Sequence, residues 1–215
     1  WFRGFLGEPQ DRPIRHPQVR SAFGTRNMGV DLKVSNATSA LLIPSVGCPM
    51  GCNFCSTSAM FGGKGKFVNF YESGDQLFDI MCQLEASMET QSFFVMDENF
   101  LLHRKRALRL LQLMERNDKS WSLHVFSSAN ALRSYSIDQL LSLGICGVWM
   151  GLEGADSQYG KLHGTDVFGL VRQLQSHGIN ILGSTIIGME NHTPEDMDAI
   201  IDYAVRYNTD FHQFM

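Results

Sequence analysis

From Ala40 onward the chain alternates short apolar runs with longer stretches of helical period, and this alternation restricts its fold more than any other feature. "ALLIPSV" (40–46), "SFFVM" (92–96), "WSLHVFS" (121–127), "CGVWMGL" (146–152) and "INILGSTIIG" (179–188) read as strands, with "DFHQF" (210–214) as a sixth. Leu77, Met81, Leu84 and Met88 recur at helical spacing behind a candidate cap at Ser73, which predicts a helix over 73–89. Ala107, Leu110, Leu111 and Met114 predict another over 102–116. "SIDQ" (136–139) is a capping-box pattern opening a short helix that stops at Gly144. Val167, Leu170, Val171 and Leu174 form the next stripe, closed by Gly178. In "TPEDMDAIIDYAV", Thr193 is the cap, Pro194 takes the first helical position and acids fill the first turn.

Strand–helix alternation of this kind gives an α/β fold with a parallel sheet and right-handed crossovers. There is room for about five βα units and one further strand, whereas a complete eight-unit barrel needs roughly 250 residues. A partial barrel and a doubly wound sheet fit the pattern equally. Residues 1–40 carry "GEPQDRPIRHPQVR", whose prolines and mixed charges disfavour regular structure. The expected organisation is an N-terminal extension or linker over 1–40 and a core domain over 41–215, truncated after its sixth strand. The chain opens on Trp1 and stops at "FHQFM", so a fragment of a longer polypeptide is the expectation.

Topology then makes a functional statement. In parallel α/β folds, ligands sit at the carboxyl ends of the strands, on the βα loops. Cys48 follows the first strand, and "DENF" (97–100), "SSAN" (127–130), "EGAD" (153–156) and "MENHTPED" (189–196) follow the next four. The polar residues worth testing therefore converge on one rim.

Five cysteines, an odd number, do not suggest a secreted disulfide scaffold, and a reducing, cytoplasmic setting is the expectation. Three of them, Cys48, Cys52 and Cys55, fall within "CPMGCNFC" as C-x3-C-x2-C. A structural zinc site wants four ligands in closed geometry. Cys82 and Cys146 lie within apolar helix and strand patterns and read as small buried apolar residues. Three thiolates suit an iron–sulfur cube with one iron left open to substrate or cosubstrate. The net charge of −4 gives no footprint for nucleic acid, and no apolar run approaches the roughly 18–20 residues of a membrane helix.

The cysteine motif, placed just after the first strand of a βα series, resembles the signature of the radical S-adenosylmethionine (SAM) superfamily, and the likeness covers residues 41–215. That resemblance implies a partial (β/α)6 TIM-like barrel with parallel strands, its last helix lying outside these residues. It also implies a 4Fe–4S cluster ligated by Cys48, Cys52 and Cys55, and SAM chelated at the open iron. Reductive cleavage of SAM would give a 5′-deoxyadenosyl radical that abstracts hydrogen from a substrate this sequence does not name. A reductant such as flavodoxin or ferredoxin is implied as a partner, with a small molecule as substrate.

Carried over by position, Phe54 would flank the adenine, and Asp97 and Glu98 in "MDENF" would hold the SAM ammonium. "MGLEGAD" resembles the family's Gly-hydrophobic-Glu-Ser strand end, with Glu153 as a polar contact to SAM and Gly154 in the serine's place. Ile187 and Gly188 would lie beside the adenine. The motifs after the second and fifth strands lean toward the cobalamin-associated branch, which includes methyltransferases and ring-forming enzymes. Cobalamin is then a further candidate cofactor, bound by a domain outside these residues.

From the residues alone, other readings stand beside these. Asp97 and Glu98 serve equally well to cap the following helix. Ser127, Ser128 and Asn130 are explained equally by turn chemistry, "GGKGK" (62–66) by a flexible turn, and His163 and His192 by surface loops. An iron–sulfur electron carrier or a structural metal module is the competing function and predicts a fourth fixed cysteine. A methylthio-transferring RNA modifier is disfavoured by the acidic balance.

Overall fold

The computed structural model of the protein describes residues 18–20, 38–153, 166–190 and 192–215. In chain order the strands are β1 (Gln18–Arg20), β2 (Thr38–Leu42), β3 (Ser45–Gly47), β4 (Phe67–Asn69), β5 (Ser92–Val95), β6 (Ser122–Ser127), β7 (Ile145–Gly151), β8 (Asn180–Thr185) and β9 (Phe211–Phe214). The helices are α1 (Ser56–Met60), α2 (Gly74–Met88), α3 (Arg104–Arg116), α4 (Ala129–Leu132), α5 (Ile137–Ser142), α6 (Val167–Ser176) and α7 (Met197–Val205). Short 3-10 turns at Phe100–Leu102 and Pro194–Asp196 lead into α3 and α7.

One sheet runs β1-β2-β5-β6-β7-β8-β9. Its six strands from β2 to β9 are parallel, and β1 pairs antiparallel to β2 at the edge. Five βα units and a sixth strand are therefore present, as the alternation predicts, in the partial (β/α)6 arrangement that the resemblance implies. The sequence reading did not anticipate β1, because the prolines around it mask a three-residue strand.

The first strand is shorter than the apolar run "ALLIPSV" suggests. Pro44 has no N–H to continue the ladder, so the run divides there. The Pro44 carbonyl instead accepts from the backbone N–H groups of Phe70 (2.9 Å) and Tyr71 (3.2 Å). Beyond it, β3 leaves the main sheet and pairs antiparallel with β4, Val46 opposite Val68. This two-stranded hairpin carries the cysteine loop between its legs.

The core lies between the helices and one face of the main sheet. Ala40, Leu42, Phe93, Val95, Leu123 and Val125 alternate along their strands and are buried against helices bearing Leu77, Met81 and Leu110. Each such leucine stabilises by about 1.5–3 kcal/mol when buried, so the stripes rather than helix propensity dock α2 and α3. Ser73 caps α2 in a full capping box with Gln76, and Ser136 caps α5 likewise with Gln139. A Cβ on Gly74 would fall 2.6 Å from the Arg106 carbonyl oxygen, which brings α2 close against α3.

The opposite face of the sheet is half-buried and aromatic. Phe94 meets Phe126 edge-on (5.7 Å between centroids), and Phe126 stacks on Trp149 at 5.2 Å. Among the described residues no helix is long and apolar enough to cross a membrane.

Candidate active site

The cysteine loop is shaped by two glycines in the left-handed region. Gly47 (φ 88°) precedes Cys48, and a Cβ there would lie 2.9 Å from Phe67 Cα. Gly51 (φ 68°) precedes Cys52, and its Cβ would lie 2.5 Å from Lys64 Cα. No other residue type fits either position without displacing backbone. "GGKGK" is thus more than a turn: it forms the wall behind the loop, with the Gly65 N–H donating to the Pro49 carbonyl at 3.0 Å. The Cys55 N–H donates to the Cys52 carbonyl at 3.1 Å, and Cys55 is the N-cap residue of α1.

Cys48, Cys52 and Cys55 are all half-buried and none is in a disulfide. Phe54 is half-buried on the same loop. Among the described residues no three His, Cys, Asp or Glu side chains are already converged as a metal site, these cysteines included. The donor set itself, three partly exposed sulfurs on one tightly turned loop at the carboxyl edge of the sheet, fits an iron–sulfur cluster in kind and number.

Cys82 and Cys146 are engaged elsewhere. The former sits on α2 within the fields of Lys119, Glu85 and Asp79, and burial pushes its thiol up. Cys146, expected to be a plain buried residue, is half-buried and polar in its contacts: its Sγ lies 3.4 Å from both the Leu123 carbonyl and His124 Nδ1. Burial also raises the Cys146 thiol and lowers His124.

The structure separates the two adjacent acids of "MDENF". Asp97 is 1% exposed and saturated. Its Oδ2 accepts from Ser45 Oγ (2.7 Å) and Arg106 (2.5 Å), and its Oδ1 from the Asn99 N–H (3.1 Å). Glu98 is exposed, and the Gly47 backbone beside Cys48 acts to lower its carboxyl. Desolvation on its inner side raises the Glu98 carboxyl above the usual range, with the Asp97 charge adding to the rise. Asn99 continues the network: its side chain accepts from Ser127 Oγ (3.2 Å) and donates to Ser128 Oγ (3.1 Å), which in turn caps α4.

Ser45, Asn99 and Arg106 were not singled out in the sequence. Arg106 left a signal there, standing four residues before Leu110 on the apolar stripe of α3, where a cation requires a buried acid. His103, at the start of that helix, packs on Phe67 of the hairpin at 5.4 Å, and burial lowers its imidazole.

The other half of the rim is built on β7 to β9. Glu153 is 4% exposed, and its Oε1 folds back over Gly151, where a Cβ would lie 2.6 Å away. Its charge reaches Tyr207, whose hydroxyl is raised chiefly by burial. Thr185 donates to the Leu152 carbonyl at 2.6 Å and lies 2.9 Å from His212 Nε2. Ile187 is half-buried, its N–H donating to the Met215 carbonyl at 2.7 Å, which extends the β8–β9 pairing. Gly188 (φ 81°) is exposed, and a Cβ there would meet nothing within 4 Å. The Met189 N–H donates to His192 Nδ1 at 3.3 Å within the loop. Gly154 and His163 lie outside the described residues.

The comparisons with known proteins agree with this geometry. A profile described as the Radical SAM superfamily matches residues 42–204. An uncharacterized methyltransferase of Pyrococcus horikoshii is 24% identical over 187 residues, which is 85% of this chain and 40% of the relative. The hopanoid C-2 methylase of Rhodopseudomonas palustris is 25% identical over 74% of this chain and 32% of its own length. The bacteriochlorophyllide d C-12(1)-methyltransferase of Chlorobaculum tepidum is 24% identical over 80% and 39% respectively. The chain thus spans two fifths or less of these curated relatives. Among solved structures, the radical SAM methyltransferase TsrM of Kitasatospora setae, with cobalamin and a 4Fe–4S cluster bound, superposes at a TM-score of 0.64. It is 20% identical and covers 81% of this chain and 36% of its own. TsrM with tryptophan substrate and a SAM analogue superposes at 0.60. With a superfamily match spanning the cysteine loop and the strand-end loops from β2 to β8, the chain belongs to the radical SAM superfamily.

Proposed function

We propose that the protein is a radical SAM methyltransferase whose cluster is held by Cys48, Cys52 and Cys55. The observation that carries this reading is the position of the three cysteines, in the first βα unit of a parallel sheet and inside the stretch 42–204. The three thiolates would hold a 4Fe–4S cluster which, once reduced, would supply the electron for cleavage of SAM to methionine and a 5′-deoxyadenosyl radical able to abstract hydrogen from the substrate.

The chain's own residues bind and orient. Glu98 takes the SAM ammonium as an oppositely charged acceptor beside Cys48, because Asp97 is already engaged by three donors. Phe54, Ile187 and the open backbone at Gly188 flank the adenine, and Glu153 offers a polar contact. The methyl acceptor is a small molecule with an apolar or aromatic ring system. Two things support that class: the half-buried row Phe94, Phe126 and Trp149, and relatives named for hopanoid, bacteriochlorophyllide and tryptophan chemistry. Cobalamin, bound by a domain outside residues 1–215, is the methyl carrier suggested by TsrM. The electron comes from a flavodoxin- or ferredoxin-type donor in a reducing cytoplasm.

Anaerobic loading with iron and sulfide tests the reading directly. The expected result is roughly four irons per chain, an EPR signal of the reduced cluster that changes on adding SAM, and slow release of 5′-deoxyadenosine. A cluster whose signal ignores SAM and that yields no nucleoside product would make the protein an electron carrier instead.

A further inference from the structure

Arg106 ties together both ends of the hairpin that carries the cysteine loop, one through Asp97 and the other at Tyr71 just beyond β4. Its Nη2 pairs with Asp97 Oδ2, which in the same place accepts from Ser45 Oγ at the start of β3. Its Nη1 donates to the Tyr71 carbonyl at 3.3 Å, two residues past the end of β4. The Tyr71 N–H in turn donates to the Pro44 carbonyl at 3.2 Å, so the segments flanking the two legs also close on each other. The guanidinium lies over the Phe100 ring at 5.4 Å, and both ends of the ion pair are almost fully buried, at 2% and 1% side-chain exposure. Ser45 is three residues ahead of Cys48, with only Val46 and Gly47 between.

Magnitudes decide what such a pair is for. A buried ion pair is often no more stabilising than a well-packed apolar replacement, because desolvation offsets most of the attraction. Arg106 also leaves its Nε without an acceptor among the described residues, which adds to the cost. A device that contributes little net stability, yet holds two chain segments at fixed hydrogen-bond lengths, acts chiefly on geometry.

We propose that Arg106, Asp97 and Ser45 form a positioning clamp for the cluster loop, fixing the register of Cys48 relative to Cys52 and Cys55 from beneath. Asp97 is on this account a positioning residue, and Glu98 alone of the two acids faces the cofactor. The clamp rests on the reading that the three cysteines hold a cluster. It predicts that loosening the clamp changes cluster retention and cluster electronics while the fold survives.

The test uses Ser45→Ala, with Ser45→Thr as the rescue and Arg106→Lys as the second clamp variant, all loaded anaerobically. Iron release to a chelator should quicken about tenfold or more in Ser45→Ala, the scale seen when partners of metal ligands are removed. The EPR line shape of the reduced cluster should shift, and Ser45→Thr should restore both. Alkylation rates of Cys82 and Cys146 in the same samples report global loosening and should stay at the wild-type value. The clamp is refuted by unchanged iron release and line shape, or by changes that appear only alongside faster alkylation at Cys82 and Cys146. Should Ser45→Ala not give a cooperative melt, Arg106→Lys is read by the same criteria. Failure of the wild type to load iron would sink the proposed function, whereas a loaded wild type with an indifferent Ser45→Ala sinks only the clamp.

Discussion

The rim above β2, β5 and β6 and the rim above β7, β8 and β9 both bury polar side chains, but they satisfy them differently. On the first side the partners are mostly other side chains: Ser45, Asp97 and Arg106 form one cluster and Asn99, Ser127 and Ser128 a second, joined where the Asn99 N–H donates to Asp97. On the second side, buried hydroxyls turn to backbone, Thr185 to the Leu152 carbonyl and Ser184 to the Met150 carbonyl, with His212 as a side-chain neighbour. A network of side chains links several elements at once, so a change at one member propagates to others. Hydroxyl-to-carbonyl bonds anchor locally and are lost one at a time. The first half is therefore suited to hold a loop in register, and the second to present open backbone at Gly188.

The widest separation between the halves is expected in iron content. Cys52→Ala removes a ligand thiol from the loop and should abolish stable loading, since a metal site needs its full ligand count. Thr185→Val and Cys82→Ala should load like the wild type. Iron and sulfide assays on the desalted proteins decide the matter. Wild-type loading in Cys52→Ala would break the assignment of the near half as the cluster site.

Stability should separate them next. Arg106→Met strands the Asp97 carboxylate in a buried site and should cost about 3–5 kcal/mol, as breaking one partner of a buried pair does. The paired change Arg106→Met with Asp97→Leu should recover much of that loss. Thr185→Val, which leaves the Leu152 carbonyl short of a donor, should cost about 1 kcal/mol. Urea unfolding at constant m-value reads all three. Equal losses at Arg106 and Thr185 would mean that the near network is no more interdependent than the far one.

How much of this was legible beforehand follows the same division. The strand–helix order, the cap at Ser73, the capping box at Ser136 and the cysteine loop at the strand's carboxyl end all rest on local patterns, and local patterns are written in the sequence. The division of the first strand at Pro44 was written there too, in the missing N–H, yet the apolar run on both sides obscured it. The antiparallel edge strand β1 was not legible, because pairing of Gln18 with Ala40 is a contact between distant segments. The roles of Asp97 and Glu98 were hidden for a similar reason. Two adjacent acids look alike in a sequence, and only the approach of Arg106 and Ser45 from other elements tells which one is consumed. "GGKGK" looked like a flexible turn because its partner, Gly51, lies eleven or more residues away and reveals itself only as a close backbone approach.

The smallest expected effect is the dependence of stability on pH, to which Glu98 of the first half and His212 of the second contribute with opposite signs. Glu98 has its carboxyl raised in the fold by desolvation from an ordinary value of 4.5. In the window upward from 4.5 the folded state therefore holds a proton that the unfolded chain has released, and stability falls as pH rises through it. His212 has its imidazole lowered by burial from an ordinary value of 6.5. In the window below 6.5 the unfolded chain binds the proton first, so stability falls as pH drops. His103 and His124 are lowered as well and act in the same direction as His212. Only the difference between wild type and variant therefore isolates each group. Glu98→Gln should remove a loss that grows on going up from pH 4.5, and His212→Asn a loss that grows on going down from pH 6.5. Urea midpoints measured across this range give both slopes. If the two variants change the profile with the same sign, the opposed contributions of Glu98 and His212 are wrong, even with the hydrogen-bond networks intact.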